Sequence, residues 1–89
     1  MVLAGRVGGR VQGVWFRRHV ADAAMREGVT GHARNLADGS VEILLVGDPL
    51  AVAKVRLAAE QGPAGAQVAA VHWEEGGDDS PPPLAFRVL

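Results

Sequence analysis

The chain predicts an α+β sandwich with the element order β-α-β-β-α-β. Three observations carry that expectation. The apolar residues switch twice from a period of two to a period near 3.6, marking two helices among strands. An Asp-Gly pair separates two neighbouring strand-like runs. Both helical runs close on a glycine.

From Val2 to Val11 the chain alternates, with Val7, Gly9 and Val11 on one face and Arg6, Gly8 and Arg10 on the other. That suits a strand whose glycines invite close backbone approach. From Phe16 to Glu27 the spacing is helical: Phe16, Val20, Ala23 and Ala24 share a face, Arg18, Asp22 and Arg26 point outward, and Gly28 is placed as the cap. Thr30 to Leu36 reads as a short strand, Ala37 to Ser40 as the hairpin turn, and Val41 to Val46 as its apolar partner. Asp48 stands as the N-cap of a second helix and Pro49 sits where a missing N–H costs nothing. Val52, Val55 and Ala59 form that helix's stripe before Gly62-Pro63 ends it. Val68 to Glu75 is a strand whose apolar parity changes between Val68 and the pair Val71 and Trp73, which calls for a bulge or twist. Gly76 to Pro83 reads as a flexible polar loop, and Ala85 to Leu89 as a final short strand with Phe86 and Val88 on one face. Two right-handed crossovers around a central hairpin give a ferredoxin-like sandwich, an antiparallel sheet with both helices on one face and room for one more edge strand.

The 89 residues suit a single domain over 1–89. Cysteine is absent, which excludes disulfides, thiolate metal sites and a cysteine nucleophile. Nine basic against ten acidic residues give a net charge of -1, no general reason to expect nucleic acid or an anionic membrane as partner. No apolar run approaches spanning length and the first ten residues lack a signal-peptide core, so a cytoplasmic monomer is expected. His19, His32 and His72 show no metal-ligand spacing. Trp15 and Trp73 read as core or surface packing residues rather than base-stacking platforms, and Asp78-Asp79 and Glu74-Glu75 as solvated pairs.

The stretch G-R-V-Q-G-V-W-F-R, Gly9 to Arg17, runs from the first strand into the first helix. Free N–H groups and the helix dipole make such a junction a ready anion site, and Gly13 lets successive amides curl inward. Arg17 in the first turn can then offer its guanidinium fork to two anion oxygens. The same residues also suit a plain turn glycine followed by a solvated arginine. The stretch is neither a Walker loop nor a G-x-G-x-x-G fingerprint.

At these residues the sequence resembles the acylphosphatase family. The family's first signature, apolar-x-G-x-V-Q-G-V-x-F-R, is matched by Val7, Gly9, Val11, Gln12, Gly13, Val14, Phe16 and Arg17. The second is matched by Gly31, Ala33, Arg34, Asn35, Gly39, Val41 and Gly47. His32 departs from it, standing where the family has an aromatic residue, and Val20 stands where some relatives carry threonine. The resemblance implies metal-independent hydrolysis of small acyl phosphates to carboxylate and inorganic phosphate, with no cofactor. It implies that Arg17 binds the phosphoryl group, that the backbone amides of Gln12, Gly13, Val14, Trp15 and Phe16 wrap its oxygens, and that Asn35 positions the attacking water. By its position alone Asn35 would read as a turn former. The competing reading is a binding module of the same fold that holds a phosphorylated or carbamoylated ligand without turnover. Arg10 has no assigned task.

Overall fold

A computed structural model describes residues 1–76 and 83–89; most of the predicted loop, with Asp78 and Asp79, lies outside the described residues. The elements follow the predicted order: β1 (Val2–Arg10), α1 (Phe16–Glu27), β2 (Thr30–Asn35), β3 (Val41–Val46), α2 (Pro49–Gln61), β4 (Gln67–Glu75) and β5 (Phe86–Val88). The sheet order is β4-β1-β3-β2-β5. Its first four strands are antiparallel neighbours, whereas β5 pairs parallel to β2 through Gly31–Phe86, His32–Arg87 and Ala33–Val88. The antiparallel sheet of the ferredoxin-like sandwich is thus present, and the extra edge strand makes the whole sheet mixed.

Both helices cover one face. Leu3, Val7, Ala33, Val41, Ile43 and Leu45 meet Phe16, Val20, Ala23 and Ala24 of α1 and Val52, Val55 and Ala59 of α2 in one core. Burying each of the valine, leucine, isoleucine and phenylalanine side chains contributes about 1.5–3 kcal/mol. The predicted helical stripes are the buried ones. The change of parity in β4 is a bulge: Gly8 faces Ala70 but Gly9 faces Val68, leaving Ala69 extra. A Cβ on Gly9, whose φ is 122°, would stand 2.2 Å from the Gln67 carbonyl oxygen, so the bulge requires glycine there. Trp73 lies over β1, donates its indole N–H to Glu60 at 3.0 Å and carries the Arg56 guanidinium 5.6 Å from its ring.

The opposite face is polar. His32 sits here, far from the helices, and donates from Nε2 to Glu42 Oε1 at 3.0 Å, while Arg34 pairs with the same carboxylate at 3.0 Å. The histidine therefore takes the aromatic's place as a partner on the sheet surface. Its hydrogen bond, with help from the Arg34 charge and against partial burial, holds the Glu42 carboxyl below its ordinary value. A carboxylate favoured by folding stabilises above its ordinary pKa and loses that contribution as pH falls through the depressed folded value. Urea titrations of wild type and Glu42→Gln should therefore differ most at neutral pH and converge in acid. Parallel curves across the whole range would remove the pair from the acid response.

Candidate active site

Strands β1 and β2 both run antiparallel to β3, and β5 runs parallel to β2. The C-terminal ends of β1, β2 and β5 consequently meet at one edge of the sheet, and α1 begins there directly after β1. This convergence forms a cleft of about 440 Å³ lined by Val11, Gly13, Trp15, Phe16, Arg17, Arg18, Asn35 and Val88. The two side chains expected to act, Arg17 and Asn35, come from segments 18 residues apart in sequence and share this cleft.

The loop from Val11 to Phe16 is pinned at both ends, since Val11 and Phe16 are almost wholly buried. Between them Gly13 has φ 75° and Trp15, the N-cap residue, has φ 63° and ψ 24°. Left-handed residues at this spacing turn backbone amides toward a common concavity. The two helices differ at their starts. Asp48 caps α2, accepting from the Leu50 N–H at 3.0 Å. By contrast, among the described residues no side chain caps α1, whose first turn carries no acidic residue. Its first intrahelical bond runs from the His19 N–H to the Trp15 carbonyl at 2.9 Å. The amides of Phe16, Arg17 and Arg18 precede that bond and remain free donors at the positive end of the helix dipole.

Arg17 extends to the rim of the cleft, where Nη1 donates to the Leu89 carbonyl. The Leu89 N–H in turn donates to Ala33 at 2.9 Å, so the edge of β2 fixes the arginine's acceptor. Arg18, read from the sequence as an outward residue, also lines the cleft but pairs with Asp22 at 3.2 Å. Asn35 follows Ala33 on the helix-facing side of β2 and stands at the strand's last position. Among the described residues its Oδ1 is the one buried side-chain polar atom without a hydrogen-bond partner. Buried acceptors are seldom left so, because the desolvation is uncompensated. Arg10 is exposed and does not line the cleft.

Gln12 holds the two halves of the site together. Its Nε2 donates to the Leu36 carbonyl at 2.9 Å and the Ser40 carbonyl at 3.0 Å, tying the loop after β1 to the hairpin that follows Asn35. Both carbonyls have other donors, from Gly39 and Leu36 respectively. Gln12→Ala therefore removes two bonds without orphaning an acceptor, at about 1–2 kcal/mol. A thermal melt should fall by roughly 4–16 °C, and an unchanged melting point would show that the bridge carries no weight.

Of the residues expected at the site, Gly13, Trp15, Phe16, Arg17 and Asn35 line the cleft, whereas Gln12 and Val14 do not. Sequence reasoning missed the Gln12 bridge, Val88 and the Leu89 carbonyl. One signal was present: Phe86 and Val88 share a face, so once Phe86 enters the core its neighbour two residues on must reach the strand-end cleft. Trp15 does not pack in the core; it is 80 % exposed. His19 is half-buried between the helices, its Nε2 3.2 Å from the Ala58 carbonyl, and His72 is exposed beside Glu74. Among the described residues no helix is long and apolar enough to cross a membrane.

Comparison with known proteins shows the family. The family model described as Acylphosphatase matches residues 3–83. An acylphosphatase of Halorhodospira halophila is 49% identical over 82 residues, covering 92% of this chain and 87% of that protein. The structure of an acylphosphatase from Coxiella burnetii superimposes with a TM-score of 0.89 at 33% identity, covering 99% of this chain and 90% of that one. That of Bacillus subtilis acylphosphatase gives 0.91 at 30% identity, over 100% and 99%. The match runs through both strand-to-loop junctions that build the cleft and through the whole sandwich that positions them: this chain belongs to the acylphosphatase family.

Proposed function

We propose that the protein hydrolyses small acyl phosphates to a carboxylate and inorganic phosphate. Arg17 and the amides of Gln12, Gly13, Val14, Trp15 and Phe16 hold the phosphoryl oxygens, and the Asn35 side-chain carbonyl aims the water. The observation that carries this reading is the partnerless Oδ1 of Asn35 in the cleft that Arg17 lines. A water donating one hydrogen to that oxygen would satisfy a buried acceptor and turn its own lone pair outward. The water oxygen then bonds to phosphorus as the bond from phosphorus to the carboxylate oxygen breaks. The electron pair leaves on the carboxylate, and the water's protons pass to the phosphate.

An amide carbonyl is no strong base, and little base is needed. A carboxylate is a good leaving group, so catalysis reduces to positioning and to stabilising charge on the phosphoryl oxygens. The guanidinium and the amides at the start of α1 are suited to that. Because both side chains come from one chain and the net charge is small, we read residues 1–89 as one domain working as a cytoplasmic monomer, with no nucleic acid or membrane partner.

Release of benzoate from benzoyl phosphate, followed with EDTA present, tests this function. Turnover is expected. A folded protein that binds inorganic phosphate yet releases no benzoate would instead be a phosphate-holding module of the same fold.

A further inference from the structure

We propose that the Trp15 indole forms the acyl-binding wall of the cleft and makes the protein favour acyl phosphates with flat, apolar acyl groups, aromatic ones above all. The inference rests on the acyl-phosphate reading and adds a side chain that selects among such substrates. Three observations meet at Trp15. It is 80 % exposed, although an indole is among the largest apolar surfaces a chain can bury. It is also the one non-glycine residue with positive φ among the described residues, at φ 63°. Bulky side chains avoid that region, and a glycine would hold the same amide without strain. The phosphoryl cradle uses the backbone here, so it does not account for an indole. Finally, the exposed ring is not on open surface but lines the cleft of Arg17 and Asn35.

The cleft has room for an acyl group. Its volume of about 440 Å³ falls in the range of small-molecule sites, well beyond what a phosphoryl group fills. Its lining divides by chemistry: Arg17, Arg18 and Asn35 are polar, whereas Trp15, Val11, Phe16 and Val88 are apolar. With the phosphoryl end held by Arg17 and the helix start, the acyl end is left to the apolar lining. Val11 and Phe16 are buried, so Trp15 and the 46 % exposed Val88 present the accessible part of it. A flat ring stacked on the indole would gain more than a methyl group can. Trp73 cannot serve in this way, being engaged with Glu60 and Arg56 on α2.

The test compares benzoyl phosphate with acetyl phosphate in wild type, Trp15→Asn and Trp15→Phe. Asparagine tolerates the left-handed conformation, and each benzoyl-to-acetyl ratio is taken within one protein, so a general loss of activity cancels. The ratio of kcat/KM should fall about tenfold in Trp15→Asn, mainly through KM, as loss of one stacking partner implies. Trp15→Phe should restore most of it. A ratio unchanged within twofold in Trp15→Asn overturns the proposal while leaving the hydrolysis itself standing. Wild type that turns over neither substrate overturns both. A second measurement leaves position 15 intact: in Trp73→Phe, Trp15 is the sole tryptophan, and phenylphosphonate should quench its fluorescence at concentrations where methylphosphonate does not. Equal response to the two phosphonates contradicts the stacking.

Discussion

Arg17→Ala is expected to remove inhibition by inorganic phosphate and to lower kcat/KM by about 10²–10³-fold, the range for losing one preorganised charge-stabilising donor. The guanidinium supplies the only full positive charge assigned to the phosphoryl group, and its fork can serve two oxygens at once. Neither the amides nor Arg18, which is paired with Asp22, offers a substitute. Stability should change little, because the side chain is not in the core and its hydrogen bond to the Leu89 carbonyl is exposed. Arg10→Ala, at an exposed position outside the cleft, controls for general loss of positive charge and should leave both phosphate inhibition and rate near wild type. Steady-state assays with phosphate as competitive inhibitor read all of these quantities. Equal effects at the two arginines would mean that only overall charge matters.

Asn35→Ala should behave differently in each respect. Inorganic phosphate should still bind and inhibit, while kcat falls by about 10²-fold or more, since a misplaced nucleophile forfeits most of the benefit of orientation. Stability should be equal or higher, because the substitution deletes a buried acceptor that makes no hydrogen bond in the fold. A purely structural asparagine would give the opposite pattern: a lower melting point and a rate reduced only in proportion to the folded fraction. A near-normal rate in a stable Asn35→Ala protein would remove the water-positioning role outright.

How much of this was legible without a structure varies by element. The second helix could be read completely, because Asp48, Pro49 and Gly62 punctuate it locally and Val52, Val55 and Ala59 mark its buried face. The bulge in β4 was legible too, since slipping one residue inverts the side-chain parity and Val68 against Val71 records that slip. The parallel pairing of β5 was not, because a three-residue strand carries no signal of the neighbour it will choose. Within the site, the uncapped start of α1 was visible as a run without Ser, Thr, Asp or Asn before Phe16. Gln12 was not interpretable, since its acceptors lie 24 and 28 residues away and become neighbours only when β2 and β3 assemble beside β1. Asn35 illustrates the harder limit. Its sequence context, a strand end before an Asp-Gly turn, describes a turn former equally well. Only the family signatures suggested its role, and only the fold exposed its unused oxygen.

If the cradle grips the phosphoryl group and Asn35 directs water to it, the bond that breaks is the one between phosphorus and oxygen. Hydrolysis of benzoyl phosphate in ¹⁸O-labelled water, with both products analysed by mass spectrometry, tests this directly. One ¹⁸O atom per turnover should appear in inorganic phosphate and none in benzoate. Label in the benzoate would place the attack at the carbonyl carbon and contradict the roles assigned to Arg17 and Asn35.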